Sequence, residues 1–135
     1  MSFILDTNIV SEFSKRRPNP AVVAFVGSTP SDRVWLSVLS LGEIRRGIEM
    51  ERRRDEDAAA SIALWLARTE EQFADRVLPI TAEVAHRWGE ITSDRTRPVV
   101  DTLIAATALV HGLTVVTRNV RDYQALGVPV INPWN

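Results

Sequence analysis

The chain opens on an unbroken apolar run, Phe3-Ile4-Leu5, that ends on a carboxylate, Asp6, with the short polar residues Thr7 and Asn8 behind it. Continuous apolar runs of this length fit strands buried on both faces, as in parallel sheets covered by helices. Val34-Trp35-Leu36-Ser37, Thr114-Val115-Val116-Thr117 and Val128-Pro129-Val130-Ile131 read the same way. Val77-Leu78-Pro79-Ile80 is a shorter strand that Pro79 confines to a sheet edge. Between these runs the apolar positions switch to helical spacing. Thr7 or Asn8 caps a short helix through about Lys15, which Arg16-Arg17-Pro18 breaks. Asn19-Pro20 restarts a helix that stops at Gly27. Ser40 or a near neighbour opens the next, with Leu41, Ile44 and Ile48 on one stripe.

That helix turns strongly charged from Glu49 to Asp57, and an alanine-rich helix with Ile62, Leu64, Trp65 and Leu66 follows. The two are expected to form an antiparallel hairpin with the charged run at its tip. Thr81 caps a helix from Ala82 to about Arg95, and Arg95-Thr96-Arg97-Pro98 is a loop. Asp101 opens a helix ended by Gly112, and Arg118 to Tyr123 is a polar turn that can begin another. Strands alternating with helices predict an α/β fold with one parallel sheet, helices on both faces and right-handed crossovers.

Size and composition narrow the setting. The 135 residues suit one domain spanning 1–135, and 45% apolar with 24% charged residues is ordinary for a globular chain. No cysteine is present, which excludes disulfides and thiolate metal sites. No signal pattern or membrane-length apolar run appears, so a cytoplasmic protein with no membrane partner is expected. A net charge of −1 argues against a bulk nucleic-acid coat. Any nucleic-acid contact then needs a local patch or a bound cation. Lys15 is the only lysine among the 16 basic residues. Arginine suits bidentate phosphate contacts, though codon bias produces the same skew.

The acids give candidate chemistry. Asp6 follows the first strand, Glu43 lies early in the helix after the second, Asp101 sits at a helix start, and Asp122 falls five residues past Thr117, with Asn119 beside it. In a parallel sheet these positions share one rim, and open α/β sheets hold their ligands there. Several carboxylates in one pocket cannot all stay ionised uncompensated. Oxygen ligands without histidine or cysteine point to Mg²⁺ or Mn²⁺. Such an ion can activate water and clamp a phosphodiester. His86 and His111 lack the partner spacing of a zinc site.

Four motifs in order resemble one family. Leu5-Asp6-Thr7-Asn8-Ile9-Val10-Ser11-Glu12, Leu41-Gly42-Glu43-Ile44-Arg45-Arg46-Gly47, Asp101-Thr102-Leu103-Ile104-Ala105-Ala106-Thr107-Ala108 and Val116-Thr117-Arg118-Asn119-Val120-Arg121-Asp122-Tyr123 resemble the acidic motifs of PIN-domain proteins, specifically the VapC toxins. Val130-Ile131-Asn132-Pro133-Trp134 is similar to the FitB-like branch. The resemblance implies a three-layer α/β/α sandwich and an Mg²⁺-dependent ribonuclease. It implies metal ligation by Asp6 and Asp101, with Glu43 completing an acidic triad. Some relatives carry an Asp where Asn119 stands, so Asn119 or Asp122 fills the fourth corner, and one firm metal site is expected rather than two. It also implies an RNA substrate, a VapB/FitA-like antitoxin and a toxin homodimer.

Arg45 and Arg46 flank Glu43 and either meet substrate phosphates or are solvated helix charges, while Arg118 beside Asn119 is the better candidate for a contact. Arg52-Arg53-Arg54 is offset by Glu49, Glu51, Asp55, Glu56 and Asp57 and reads as a solvated tip. Two alternatives stay open: a non-catalytic PIN module that acts by binding, which Asn119 favours, and a PIN nuclease that processes RNA outside toxin–antitoxin systems. A phosphoryl-transfer enzyme with Asp6 as nucleophile would want an acid at position 8 and a nearby lysine; position 8 is Asn.

Overall fold

The computed structural model describes residues 1–134. Five parallel strands, β1 (Phe3–Leu5), β2 (Val34–Ser37), β3 (Val77–Leu78), β4 (Thr114–Val116) and β5 (Val130–Ile131), form one sheet in the order β3-β2-β1-β4-β5. Phe3 pairs in register with Val34 on one side and Thr114 on the other, so β1 is the central strand. The chain builds outward from β1 through β2 to β3, then returns to β4 and β5 on the opposite side. The carboxyl end of β1 is therefore a topological switch point, where ligand crevices form in open α/β sheets. Asp6 is the residue after that end.

Side-chain alternation along the strands divides the core into two layers. Phe3, Leu5, Val34, Leu36 and Val116 face a cluster built from α1 (Thr7–Glu12), α2 (Pro20–Gly27), α3 (Val38–Arg52) and α4 (Glu56–Gln72). Ile4, Val115 and the half-buried Trp35 face the other side, which carries α5 (Ala82–Ile91), α6 (Val99–His111) and α7 (Val120–Gln124). The result is the expected three-layer α/β/α sandwich. Ala105, Ala106 and Ala108 are fully buried, and their small side chains let α6 approach the sheet. Among the described residues, no helix is long and apolar enough to cross a membrane.

Several boundaries differ from the sequence reading, each for a local reason. The cap of α1 is Asp6 rather than Thr7 or Asn8, because its carboxylate accepts from the Thr7 amide. The helix ends at Glu12, not Lys15: the buried Glu12 carboxylate instead pairs with Lys15 at 2.8 Å and accepts from the Asn19 amide at 2.8 Å. Helix α3 starts at Val38 with Ser37 as its cap, so the strand runs straight into the helix and Ser40 lies inside the first turn. Helix α5 stops at Ile91, where the Thr92 amide and hydroxyl both return to the Trp88 carbonyl. Helix α6 begins at Val99, two residues before Asp101.

The charged hairpin tip between α3 and α4 is solvated, as expected. Arg52 pairs with Glu49 and Glu56, and Arg54 with Glu51.

Gly112 closes α6 in the left-handed region at φ 67° before the chain enters β4. Its Cβ position is open, so a substitution there meets only backbone strain. Gly112→Ala is expected to lower unfolding stability by about 1 kcal/mol, read from the urea midpoint.

Candidate functional site

The site is assembled by the residues just past β1 and β4. Asp6 is 2% exposed. Its Oδ1 accepts from the Thr7 amide at 2.8 Å, and its Oδ2 accepts from the Thr117 hydroxyl at 2.7 Å and from Asn8 Nδ2 at 3.3 Å. Thr117 in turn accepts from the Asn119 amide at 2.9 Å, and Asn8 Oδ1 accepts from the Arg118 amide at 3.3 Å. These bonds fasten the loop after β4 to the end of β1 and fix the rotamer of Asp6. Glu43 comes from the second turn of α3. The Thr7 hydroxyl donates to its Oε1 at 2.6 Å and lies 2.8 Å from the Ser40 hydroxyl.

Asp6, Glu43, Asp101 and Asn119 line one solvent-open cavity of about 450 Å³, together with Glu12, Lys15, Arg118 and Trp134. The structure thus brings three of the expected acids and Asn119 to one cavity. Asp122 stands apart: it lines a neighbouring cavity, which also reaches Asp101. Of the three arginines marked in the sequence, the structure brings Arg118 to the acidic cavity, its guanidinium 4.9 Å from the centre of the Trp134 ring. Arg45 and Arg46 lie outside the lining, exposed on α3, and Arg45 pairs with Glu49 at 3.6 Å.

The electrostatics follow from burial and crowding. The Asp6 carboxyl is raised above its ordinary value, chiefly by burial; its hydrogen bonds oppose this and the Glu43 charge adds to it. Asp101 is pushed up to about 6 by burial first, then by the charges of Asp6, Glu43 and Asp122. Among the described residues no ion pair reaches Asp6, Glu43, Asp101 or Asp122. The acids are therefore crowded, Asp6 and Glu43 held by hydrogen bonds but not by ion pairs.

Nor do three His, Cys, Asp or Glu side chains among the described residues converge as a complete metal cage. That donor set does not suit an all-protein Ca²⁺ or Zn²⁺ site. It suits Mg²⁺, which keeps several waters and takes one or two carboxylates from the protein. Asp6 and Asp101 both line the acidic cavity, and the Asp6 charge acts on the Asp101 carboxyl.

Two contributors carry no assignment in the sequence reading. Thr117 reads there only as a strand end, yet its hydroxyl is the buried partner of Asp6. Tyr123 belongs to the fourth motif, and its ring is fully buried beneath the site. Its hydroxyl faces Asp6 closely enough to lower that carboxyl's pKa, yet has no partner within hydrogen-bond geometry. No local sequence signal separates such a tyrosine from an ordinary core aromatic.

Comparison with known proteins places this geometry. The PIN domain family model matches residues 3–126. The chain is 31% identical to the VapC ribonuclease Y4jK of Sinorhizobium fredii, covering 97% of this chain and 96% of that protein. It is 33% identical to the toxin FitB of Neisseria gonorrhoeae, covering 98% of each. Among solved structures, FitAcB from Neisseria gonorrhoeae superposes with a TM-score of 0.88 at 33% identity, covering 98% of this chain and 99% of that one. With the family model matched over nearly the whole sheet and both relatives aligned almost end to end, this chain belongs to the PIN-domain family.

Proposed function

We propose that this protein is an Mg²⁺-dependent endoribonuclease that acts as the toxin of a toxin–antitoxin pair. The observation that carries the reading is the group of three acids at the switch point, with a buried Asp6 among them and, among the described residues, no ion pair to any of the three. Burying charge without a partner is strongly unfavourable, so a site built this way is completed by a bound cation. The likeness to a VapC ribonuclease and to toxin FitB supports RNA as the substrate and toxicity as the role.

Each residue has a part in hydrolysis. Asp6, its rotamer locked by Thr117 and the Thr7 amide, and Asp101 would hold the ion. When bound, Mg²⁺ supplies charge neutralisation for the scissile phosphate and makes an attacking water more acidic. Glu43, held by the Thr7 hydroxyl at 2.6 Å, orients that water and accepts its proton. Asn119 occupies the fourth corner as a neutral hydrogen-bonding group. Arg118, stacked on Trp134 at the rim, meets a substrate phosphate. In this reading the active protein is a homodimer, and a VapB/FitA-like antitoxin neutralises it.

The reading is tested by incubating the purified protein with total cellular RNA in Mg²⁺ or in EDTA. Discrete cleavage products are expected in Mg²⁺ alone. RNA left whole in both would leave a module that acts by binding. Growth arrest on expression, relieved by co-expressing the product of the adjacent reading frame, tests the toxin role.

A further inference from the structure

A second cavity, about 250 Å³, lies across Asp101 from the acidic one, between the loop before α6 and helix α7. Asp101 lines both, so the carboxylate stands on the saddle between them. The acidic cavity carries Lys15 and Arg118. The second carries Arg95, Arg97 and Arg121. Any chain of phosphates laid across Asp101 would thus meet basic side chains on both sides of the acids.

The arginines of the second cavity have donors to spare. Arg97 is only 12% exposed, and one of its terminal nitrogens bonds Asp94 at 2.9 Å. Its Nε is buried and has no hydrogen-bond partner. A buried guanidinium donor left unmade is unfavourable, and a phosphate oxygen is the acceptor that its planar fork matches best. Arg95 and Arg121 are exposed, and among the described residues neither is in an ion pair. The acids of this cavity, Asp101 and Asp122, take no ion pair from them either; Asp122 instead adds to the repulsion at Asp101.

We propose that this cavity is a phosphate subsite, in which Arg95, Arg97 and Arg121 hold a phosphodiester of the RNA strand next to the bond being cut. The inference rests on the ribonuclease reading and deepens it. The substrate is a strand that continues beyond the scissile phosphate on the α7 side. Contacts of this kind are sequence-independent: they set register and affinity, not base choice.

The test compares Arg95→Gln/Arg121→Gln, both exposed and free of fold-supporting bonds, with Arg53→Gln/Arg54→Gln at the distant hairpin tip. Both doubles remove two positive charges. Binding of labelled random 20-nucleotide single-stranded RNA is followed by fluorescence polarisation in Ca²⁺ across a salt series, and cleavage is followed in Mg²⁺. The site double is expected to weaken binding about tenfold and to reduce the slope of log affinity against log salt by about 1.4, at roughly 0.7 per lost phosphate contact. The tip double is expected to change affinity less than about twofold, as solvated charges far from the strand do. Arg97→Lys, which keeps the charge but loses the fork, should weaken binding with a nearly unchanged slope. Equal behaviour of the two doubles overturns the subsite. A wild-type protein that binds RNA but never cuts it overturns the ribonuclease reading and leaves the subsite to be judged by the binding comparison. A wild type with no RNA affinity overturns both.

Discussion

Asp6→Asn is expected to reduce RNA cleavage at least about 10³-fold, equivalent to ~4 kcal/mol of transition-state stabilisation, while leaving the protein folded. The loss follows from the charge: an amide holds a divalent cation far more weakly than a carboxylate. The retained fold follows from the hydrogen bonds. The substituted side chain can still accept from the Thr7 amide through its oxygen, and its NH₂ group can donate to Thr117 if that hydroxyl turns round. The substitution also removes a buried charge, so the metal-free variant should be no less stable than wild type. Circular dichroism and thermal melts check the fold, and product formation on a gel checks the rate. Undiminished cleavage by a folded Asp6→Asn protein would remove Asp6 from the reaction.

The second large effect concerns stability, pH and the ion together. In the metal-free protein Asp101 titrates at about 6, above its ordinary 3.8, and Asp6 is raised in the same sense. The folded state then holds protons that the unfolded chain has released. Stability therefore falls as pH rises from about 4, and the loss is complete once pH passes the folded value near 6. Asp101→Asn should lift this penalty. Because Asp101 is only half-buried and partly screened, a gain of about 1 kcal/mol, or roughly 3–5 °C in melting temperature at pH 7.5, is expected. Mg²⁺ should act unequally on the two proteins. At a hundred times its dissociation constant it stabilises a protein by about 2.7 kcal/mol, so wild type should gain strongly and the variant little. Melting curves at pH 5 and 7.5, with and without Mg²⁺, read all four states. A variant that melts like wild type at pH 7.5 and gains equally from Mg²⁺ would place the ion away from Asp101.

The architecture was readable because local patterns and global fold agree. Apolar runs three or four residues long fit buried strands, and their alternation with helical spacing points to a covered parallel sheet. Pro79 correctly placed β3 at an edge. Caps were harder, since Asp6, Thr7 and Asn8 are all good caps, and only the carboxylate's bond to the Thr7 amide separates them. The three acids and Asn119 were also legible: Asp6 and Asn119 lie just past β1 and β4, Glu43 early in the helix after β2, and Asp101 in the first turn of α6.

The residue pattern alone specifies the layering of the fold and which acids share a rim. Which cavity each polar residue enters follows from tertiary contacts. They set Asn119 in the acidic cavity and Asp122 in its neighbour, left Arg45 and Arg46 outside while bringing Arg118 in, and put Tyr123 under Asp6. Periodicity specifies which face a residue takes, because that depends only on backbone geometry. Which groups meet across loops depends on how β1 and β4 pair and how the Thr117 hydroxyl ties their ends, and those contacts join positions more than a hundred residues apart in the chain.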